Sequence, residues 1–577
     1  NTLRALQFTR RTLWKKLLMA AGVVLTFVAA YYGKRAERAE VEANLWNVVV
    51  RHARSKTIVR AIALLSTLWA VWMYLRSKPS SGAATFDGTK PQVLPDGVYH
   101  VGAKRLPTKT MARPFKEQAP GSRVSVQMER YGKSRDLLHL EGIGLGGLVP
   151  TVCSSDFDNE QIALRNRATL DNPYDSERMY AFECWLKTDA VAMLRKLGRK
   201  PDYPKLVRAM SFEEWNARFP EPKRVLHERA RLKMLATVPD LHRVCRRKAF
   251  IKVEKGKVDT PLEEASYDPR TIQGATDEFN VLVGPWLASF AEWLKRLFDH
   301  EQSTVCWPST GEDIVSFANR CAPNSAYFVS EDQSRFDNSM HERLIRAKLI
   351  VYAQLGAGER TEYGVSVLQV LSYGIFKHGR MPCGTRYAIN GTVASGDPDT
   401  SSGNTMMNVL LHVYAATRTV SKYTLDKPTR YYLAGGDDLL TFVTPQDSLD
   451  YKRMPVTALS ATLKEADIAE VLKDLGLRPE LDVCDDLANA EFFSCHFIRA
   501  LDVDEDTVKY VPARKLGRYL SKCAWSITDT VTGPRYVRST VLSELNDCRP
   551  HPYLHVLHKR LLDLTEGTRA TPRNDHR

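Results

Sequence analysis

A chain of 577 residues is long enough for several domains or one large one, and its 44% hydrophobic and 26% charged content are those of a globular protein. The 82 Lys+Arg against 67 Asp+Glu give a net charge of +15, a balance that suits a polyanionic partner. The distribution excludes a uniformly basic protein: residues 1–80 hold 14 Lys+Arg and 3 Asp+Glu, so the rest of the chain carries only +4.

The chain opens on Asn1 rather than Met, as expected of a fragment, a processed product or part of a longer reading frame. Two apolar runs follow, 17–32 and 61–75, each flanked by Lys or Arg. Both fall short of the roughly 20 residues of a straight membrane span. Trp14, Tyr31, Tyr32, Trp72 and Tyr74 lie near their ends, where interfacial anchors belong. The expectation is a helical membrane-anchoring region over 1–76, as short spans or interfacial helices. The second run argues against a secretory signal peptide. So do the ten cysteines, scattered without a C-x2-C pair; they exclude a zinc ribbon and fit a reducing compartment.

Residues 77–122 are rich in Pro, Gly, Ser, Thr and Lys and read as a linker. GIGLGG at 142–147 satisfies G-x-G-x-x-G, but no βαβ unit surrounds it, so a dinucleotide site is rejected. YGKS at 131–134 is half a phosphate-binding loop, with Gln127 in place of the first Gly. The stretch 211–234 begins with a capping box, Ser211 to Glu214, and its second half is a basic helix. RVCRRKAFIKVEKG at 243–256 gathers Arg243, Arg246, Arg247, Lys248 and Lys252. Such a set suits a triphosphate, with Lys as a point charge and Arg as a bidentate fork, although a solvated basic strand has the same composition.

SEDQSRFDNSM at 330–340 follows the apolar Tyr327-Phe328-Val329. A strand ending at Asp332 and a helix with Asp337 in its first turn would aim both carboxylates at one cleft; ordinary helix capping is the simpler alternative. ASGDPDTSSGNTMMNVLL at 394–411 is a Ser-Gly turn followed by Thr400 and Asn404 on one helix face. YYLAGGDDLLTF at 431–442 puts Asp437 and Asp438 on a tight hairpin turn, where paired carboxylates can hold Mg²⁺. Gly-Asp-Asp alone also suits any exposed turn. Further on, ARKLGRYLSKCAW at 513–525 spaces Arg514, Lys515, Arg518 and Lys522 at near-helical intervals, and the chain turns polar from about 566.

In this order and at these spacings, D-x4-D, S-G-x3-T-x3-N and G-D-D resemble palm motifs A, B and C of the RNA-dependent RNA polymerases of positive-strand RNA viruses. The wording is closest to the tombusvirus-like group, with nodavirus-like polymerases further off. The basic block together with DPRTIQGATDEFNVLVG at 268–284 resembles motif F, and NAEFFSCHFI at 489–498 resembles motif E. The resemblance covers roughly residues 205–525. Gly435 stands where relatives often have Asn, and Pro398 sits inside motif B; neither is a presumed metal ligand.

The resemblance implies an α+β right-hand polymerase. It would have fingers and palm over 123–500, a thumb over 501–565 and a disordered tail over 566–577, behind the 1–76 anchor and the 77–122 linker. It implies Mg²⁺, with Mn²⁺ as a substitute, on Asp332, Asp437 and Asp438. Asp337 and Asn404 would read the ribose, supported by Ser395, Gly396 and Thr400, while Arg246, Arg247 and Lys252 hold the triphosphate. Arg514, Lys515, Arg518 and Lys522 would meet RNA. A general acid for pyrophosphate is expected after motif C, with Lys464, Lys473 and Arg478 all open. The implied activity is RNA synthesis from NTPs on an RNA template, replicating a positive-strand genome on the cytosolic face of a host intracellular membrane, with self-association in a replication complex. A reverse transcriptase would set a bulky aromatic against the 2′-hydroxyl, where this chain has Asp337. A non-catalytic RNA-binding scaffold would have lost the acids that remain here.

Overall fold

The structure is a computed structural model. It describes residues 115–126, 152–255, 268–420, 423–446, 458–502, 507–523, 525–527 and 533–570, with short strands at 92–93, 99–100, 105–107 and 136–139. The expected anchor over 1–76, the GIGLGG and YGKS stretches and the last seven residues lie outside the described residues. Everything described falls in one compact unit, Lys90–Arg577. Among the described residues no helix is long and apolar enough to cross a membrane.

The strands that frame the site are β1 (Arg123–Val126), β2 (Arg247–Ile251), β3 (Thr271–Ala275), β4 (Val305–Cys306), β5 (Tyr327–Gln333), β6 (Phe376–Arg380), β7 (Thr385–Asn390), β8 (Arg430–Gly435), β9 (Asp438–Val443), β10 (Pro479–Cys484), β11 (Cys495–Asp502) and β12 (Thr507–Arg514). The principal helices are α1 (Ser176–Leu197), α2 (Asp277–Leu297), α3 (Glu342–Gln354), α4 (Thr400–Thr419) and α5 (Ala458–Asp474). One sheet has the order β10-β5-β9-β8-β4, antiparallel except for β8 beside β4. A second has the order β1-β7-β6-β2-β3, antiparallel except for β6 beside β2. Antiparallel sheets with segregated helices make an α+β architecture.

The first sheet is covered on both faces. Tyr432, Ala434 and Leu439 join the large core with Phe182, Phe290, Tyr352 and Leu410, while Phe328, Leu433, Leu440 and Phe442 pack with Phe317 and Phe497 on the other side. Strand alternation sorts neighbours to opposite faces. In β5, YFVSEDQ, Asp332 is the one exposed residue. The apolar run thus buries the strand, and its exposed carboxylate is left near the strand's C-terminal end.

Helix α4 is buried without a break over 402–416. A helix buried all round must satisfy its polar side chains against neighbours, which makes Asn404, Thr405, Asn408 and His412 informative. Its first turn is fixed by a buried ion pair, Lys348 Nζ to Asp399 Oδ2 at 2.6 Å.

The second half of 211–234 is the expected helix, Glu221–Ala236, preceded by a separate short helix, Phe212–Ala217, whose Ser211 side chain accepts the Glu214 N–H. Two other expectations change. Part of the expected linker is paired: Arg105–Pro107 lies beside Asp136–His139, which lies beside Trp525–Ser526, and Ala119 N–H donates to Thr169 O at 2.7 Å. A boundary at 500 would cut the β11-β12 hairpin, whose Tyr510 N–H donates to Asn319 Oδ1 at 2.7 Å, so the helical C-terminal part starts at Leu516.

Candidate active site

Gly435 and Asp438 close the β8-β9 ladder, leaving Gly436-Asp437 as a two-residue turn. Gly436 has φ +69°, a left-handed conformation that glycine adopts without strain. Gly435 is tight for a different reason: a Cβ there would lie 2.1 Å from Cζ of Phe493, so the ring of the motif E-like turn would have to move to admit a side chain.

The turn faces the end of β5. The adjoining register pairs Leu439 with Glu331, which sets Asp332 beside the turn. Asp437 keeps solvent access, yet the surrounding protein raises its carboxyl above the usual range; removal of water is the main cause, and the Asp332 carboxylate adds to it. Two carboxylates close enough to repel call for a shared cation. Among the described residues no three His, Cys, Asp or Glu side chains form a ready-made metal cage. Asp332 and Asp437, the pair close enough to repel, offer carboxylate oxygens to a cation such as Mg²⁺, which binds through one or two carboxylates with the rest of its shell from water and phosphate.

Asp337 lies in the short helix Phe336–Ser339, entered through Arg335 at φ +59°. The Phe336 side chain is buried in the core. Asn404 Nδ2 on α4 donates to Asp337 Oδ1 at 2.8 Å. Burial raises the Asp337 carboxyl to about 6; the Asn404 bond opposes this and the Asp437 charge reinforces it. The structure thus brings Asp332, Asp337, Asn404 and Asp437 together.

The other expected nucleotide residues divide. Ser395 Oγ donates to Thr271 O at 2.8 Å, and Thr400 Oγ1 lies 2.9 Å from both Ala394 O and Asp397 O. Both hydroxyls shape the loop rather than face Asp337. Gly396 bridges to Gly274, and a Cβ there would sit 2.5 Å from Gln273 O, so only glycine allows the loop this close to β3. Arg246 is exposed, and Lys252 Nζ pairs with Glu254 at 3.0 Å. Arg247 needs correction: its side chain has no exposed surface, pairs with Asp397 at 2.9 Å and lies over the Phe279 ring. A guanidinium so enclosed fastens β2 to the Ser-Gly loop and does not face a triphosphate.

Arg270 was missed. It is half exposed, pairs with Glu254 at 3.5 Å, and its charge acts on both Asp337 and Asp437. The available signal was that it is the one basic residue in DPRTIQGATDEFNVLVG. Among the three general-acid candidates, Lys464 is buried and Lys473 is exposed beside Glu470 at 3.9 Å. Arg478 stands at the end of β5, accepting Ser334 N–H at its carbonyl and donating from Nη2 to Asp171 O at 2.8 Å. Of the expected RNA contacts, Lys515 is ion-paired with Glu491 and Arg514 ends β12 half buried. The side chains of Arg518 and Lys522 lie outside the described residues.

A family model described as viral RNA-dependent RNA polymerase matches residues 213–544. The chain is 27% identical over 262 residues to an RNA-directed RNA polymerase of Pariacoto virus, a stretch covering 44% of this chain and 23% of that protein. It is 28% identical over 262 residues to an RNA-directed RNA polymerase of Pothos latent virus (isolate Pigeonpea/India), covering 43% of this chain and 32% of the relative. The match thus spans a third or less of each of these curated relatives.

Proposed function

Because this chain belongs to the viral RNA-dependent RNA polymerase family, we propose that it synthesises RNA from nucleoside triphosphates on an RNA template. The observation that carries this reading is the Asn404–Asp337 hydrogen bond beside Asp437 and Asp332. A polar pair suited to a 2′-hydroxyl stands next to carboxylates suited to a cation.

Asp332, Asp437 and Asp438 would hold Mg²⁺, with Mn²⁺ as a substitute. When bound, two such ions lower the pKa of a 3′-hydroxyl and neutralise a leaving pyrophosphate. Asp337 and Asn404 orient the ribose, and a deoxyribose offers this pair no 2′-hydroxyl to bond. Arg270, with Lys252 and Arg246, holds the triphosphate and offsets the negative charge of the site. Ser395 and Thr400 keep the loop beneath it in shape. The test is nucleotide incorporation on a primed RNA template with and without Mg²⁺. Template-dependent RNA product supports the reading, and its absence from folded protein in Mg²⁺ and in Mn²⁺ refutes it.

The wider setting rests on sequence. The two apolar, basic-flanked runs in 1–76 support attachment to the cytosolic face of a host intracellular membrane. Replication of a positive-strand genome, and self-association in a replication complex, follow from the resemblance of the motifs.

A further inference from the structure

We propose that Thr405 and Asn408 are positioning residues that set the place of Asp437, so that one helix governs both sugar reading and the metal-binding turn. The inference rests on the polymerase reading above for the reaction it affects.

Asp437 sits in a turn one residue past the end of the β8-β9 ladder. The ladder does not fix the turn's outward backbone groups, and α4 takes them up. Gly436 N–H donates to Thr405 Oγ1 at 2.7 Å, and Thr405 Oγ1 in turn donates to Ser401 O at 2.8 Å. Asn408 Nδ2 donates to both Gly436 O and Asp437 O, each at 3.2 Å. Thr405 and Asn408 have no exposed surface, so water cannot replace either of them. A primary amide can bridge two carbonyls because its NH₂ carries two donors, which a hydroxyl or a carboxylate cannot supply.

The same helix is fixed to the strand that carries Asp332. One turn on, His412 Nε2 meets Glu331 Oε2 at 2.5 Å, and His412 Nδ1 lies 2.7 Å from Asn408 O. Asn404, one residue before Thr405, holds Asp337. Four positions of α4 therefore reach three separately encoded parts of the site: β5 beside Asp332, the short helix of Asp337, and the turn of Asp437. Carboxylates placed by a buried helix are held more closely than a free hairpin tip would hold them, and an ångström of misplacement costs on the order of a hundredfold in rate.

Thr405→Val removes the hydroxyl at constant size, and Thr405→Ser keeps it. The expected result for Thr405→Val is a fall in kcat of about tenfold or more. NTP KM should stay within about twofold and the preference for NTP over dNTP should not change, because Asn404 and Asp337 are untouched. Thr405→Ser should restore most of the rate. Calorimetry without nucleotide should show weaker Mn²⁺ binding to Thr405→Val than to Thr405→Ser. That readout still decides the matter if the wild type incorporates no nucleotide, which would be a failure of the polymerase reading instead. If Thr405→Val does not fold, Asn408→Ser, which shortens the donor without adding volume, is read in the same way. Unchanged kcat per folded molecule, or equal Mn²⁺ affinity in the valine and serine variants, overturns the inference.

Discussion

Asn404 Nδ2 donates to Asp337 Oδ1 across 2.8 Å, joining residues 67 positions apart from two different helices. Asn404 is buried, and the Asp337 carboxyl is raised to about 6 mainly by burial. Such a pair is ready to exchange part of its internal bonding for a ribose hydroxyl. Asn404→Ala and Asp337→Ala should each raise dNTP use relative to NTP use by about tenfold or more. Competition between labelled NTP and dNTP measures the ratio, and unchanged discrimination in both variants would mean the sugar is read elsewhere.

Asp437→Asn should abolish RNA synthesis. A neutral amide supplies no charge to a cation. The native carboxyl is raised by loss of surrounding water and by Asp332, so the amide relieves repulsion and the melting temperature should hold or rise slightly. Primer extension and calorimetry on one preparation check both halves; near-normal incorporation in Mg²⁺ removes the metal assignment.

Arg247 should affect stability rather than substrate binding. Arg247→Ala leaves Asp397 without its partner in the interior and should cost about 3 to 5 kcal/mol. Arg247→Met with Asp397→Leu should recover most of that loss, because an apolar pair of similar volume avoids burying charge. Arg270→Ala should do the reverse, raising NTP KM while leaving urea midpoints near wild type. A selective rise in KM for Arg247→Met/Asp397→Leu would return Arg247 to the triphosphate.

His227 gives the chain a defined acid response. It has no exposed surface, its Nδ1 lies 2.9 Å from Asn216 Oδ1, and its ring stacks on Trp215. Burial, with help from Lys223, lowers its pKa from 6.5 to about 4. The depressed folded value means that the unfolded chain takes up the proton first as pH falls. The contribution to stability is therefore complete above pH 6.5 and lost towards pH 4, about 3 kcal/mol at about 1.4 kcal/mol per pKa unit. His227→Gln should start less stable at pH 7 but show a correspondingly flatter stability profile between those limits. Denaturant unfolding at a series of pH values reads the difference, and parallel profiles would contradict it.

Removal of residues 1–76 should release the protein from membranes while sparing catalysis. That segment holds both apolar runs with 13 Lys+Arg against 3 Asp+Glu, and every catalytic motif lies beyond residue 240. Flotation of lysates tests the first half and primer extension by the truncated chain the second. A full chain that fails to float disproves the anchor; a folded but inactive truncation moves the catalytic boundary.

The sequence alone picked out the candidate acids and amides, because the patterns that carry them are short and local. Asp332 closes an apolar strand, Asp337 opens a short helix, and Gly436-Asp437 makes a two-residue turn. Each depends on backbone geometry spanning only a few residues. What a side chain faces across the fold is not local, and only the tertiary structure decided it. Arg247 and Arg270 are indistinguishable as basic residues near two strands, yet one is enclosed with Asp397 and Phe279 while the other sends its charge to Asp337 and Asp437. Ser395 and Thr400 lie in the expected motif, but their hydroxyls are occupied by nearby carbonyls. Gly435 lies against the ring of Phe493, 58 residues later, which a Cβ there would have to displace. Burial and partnership arise from packing between segments distant in the chain, and residue type and spacing carry no record of them.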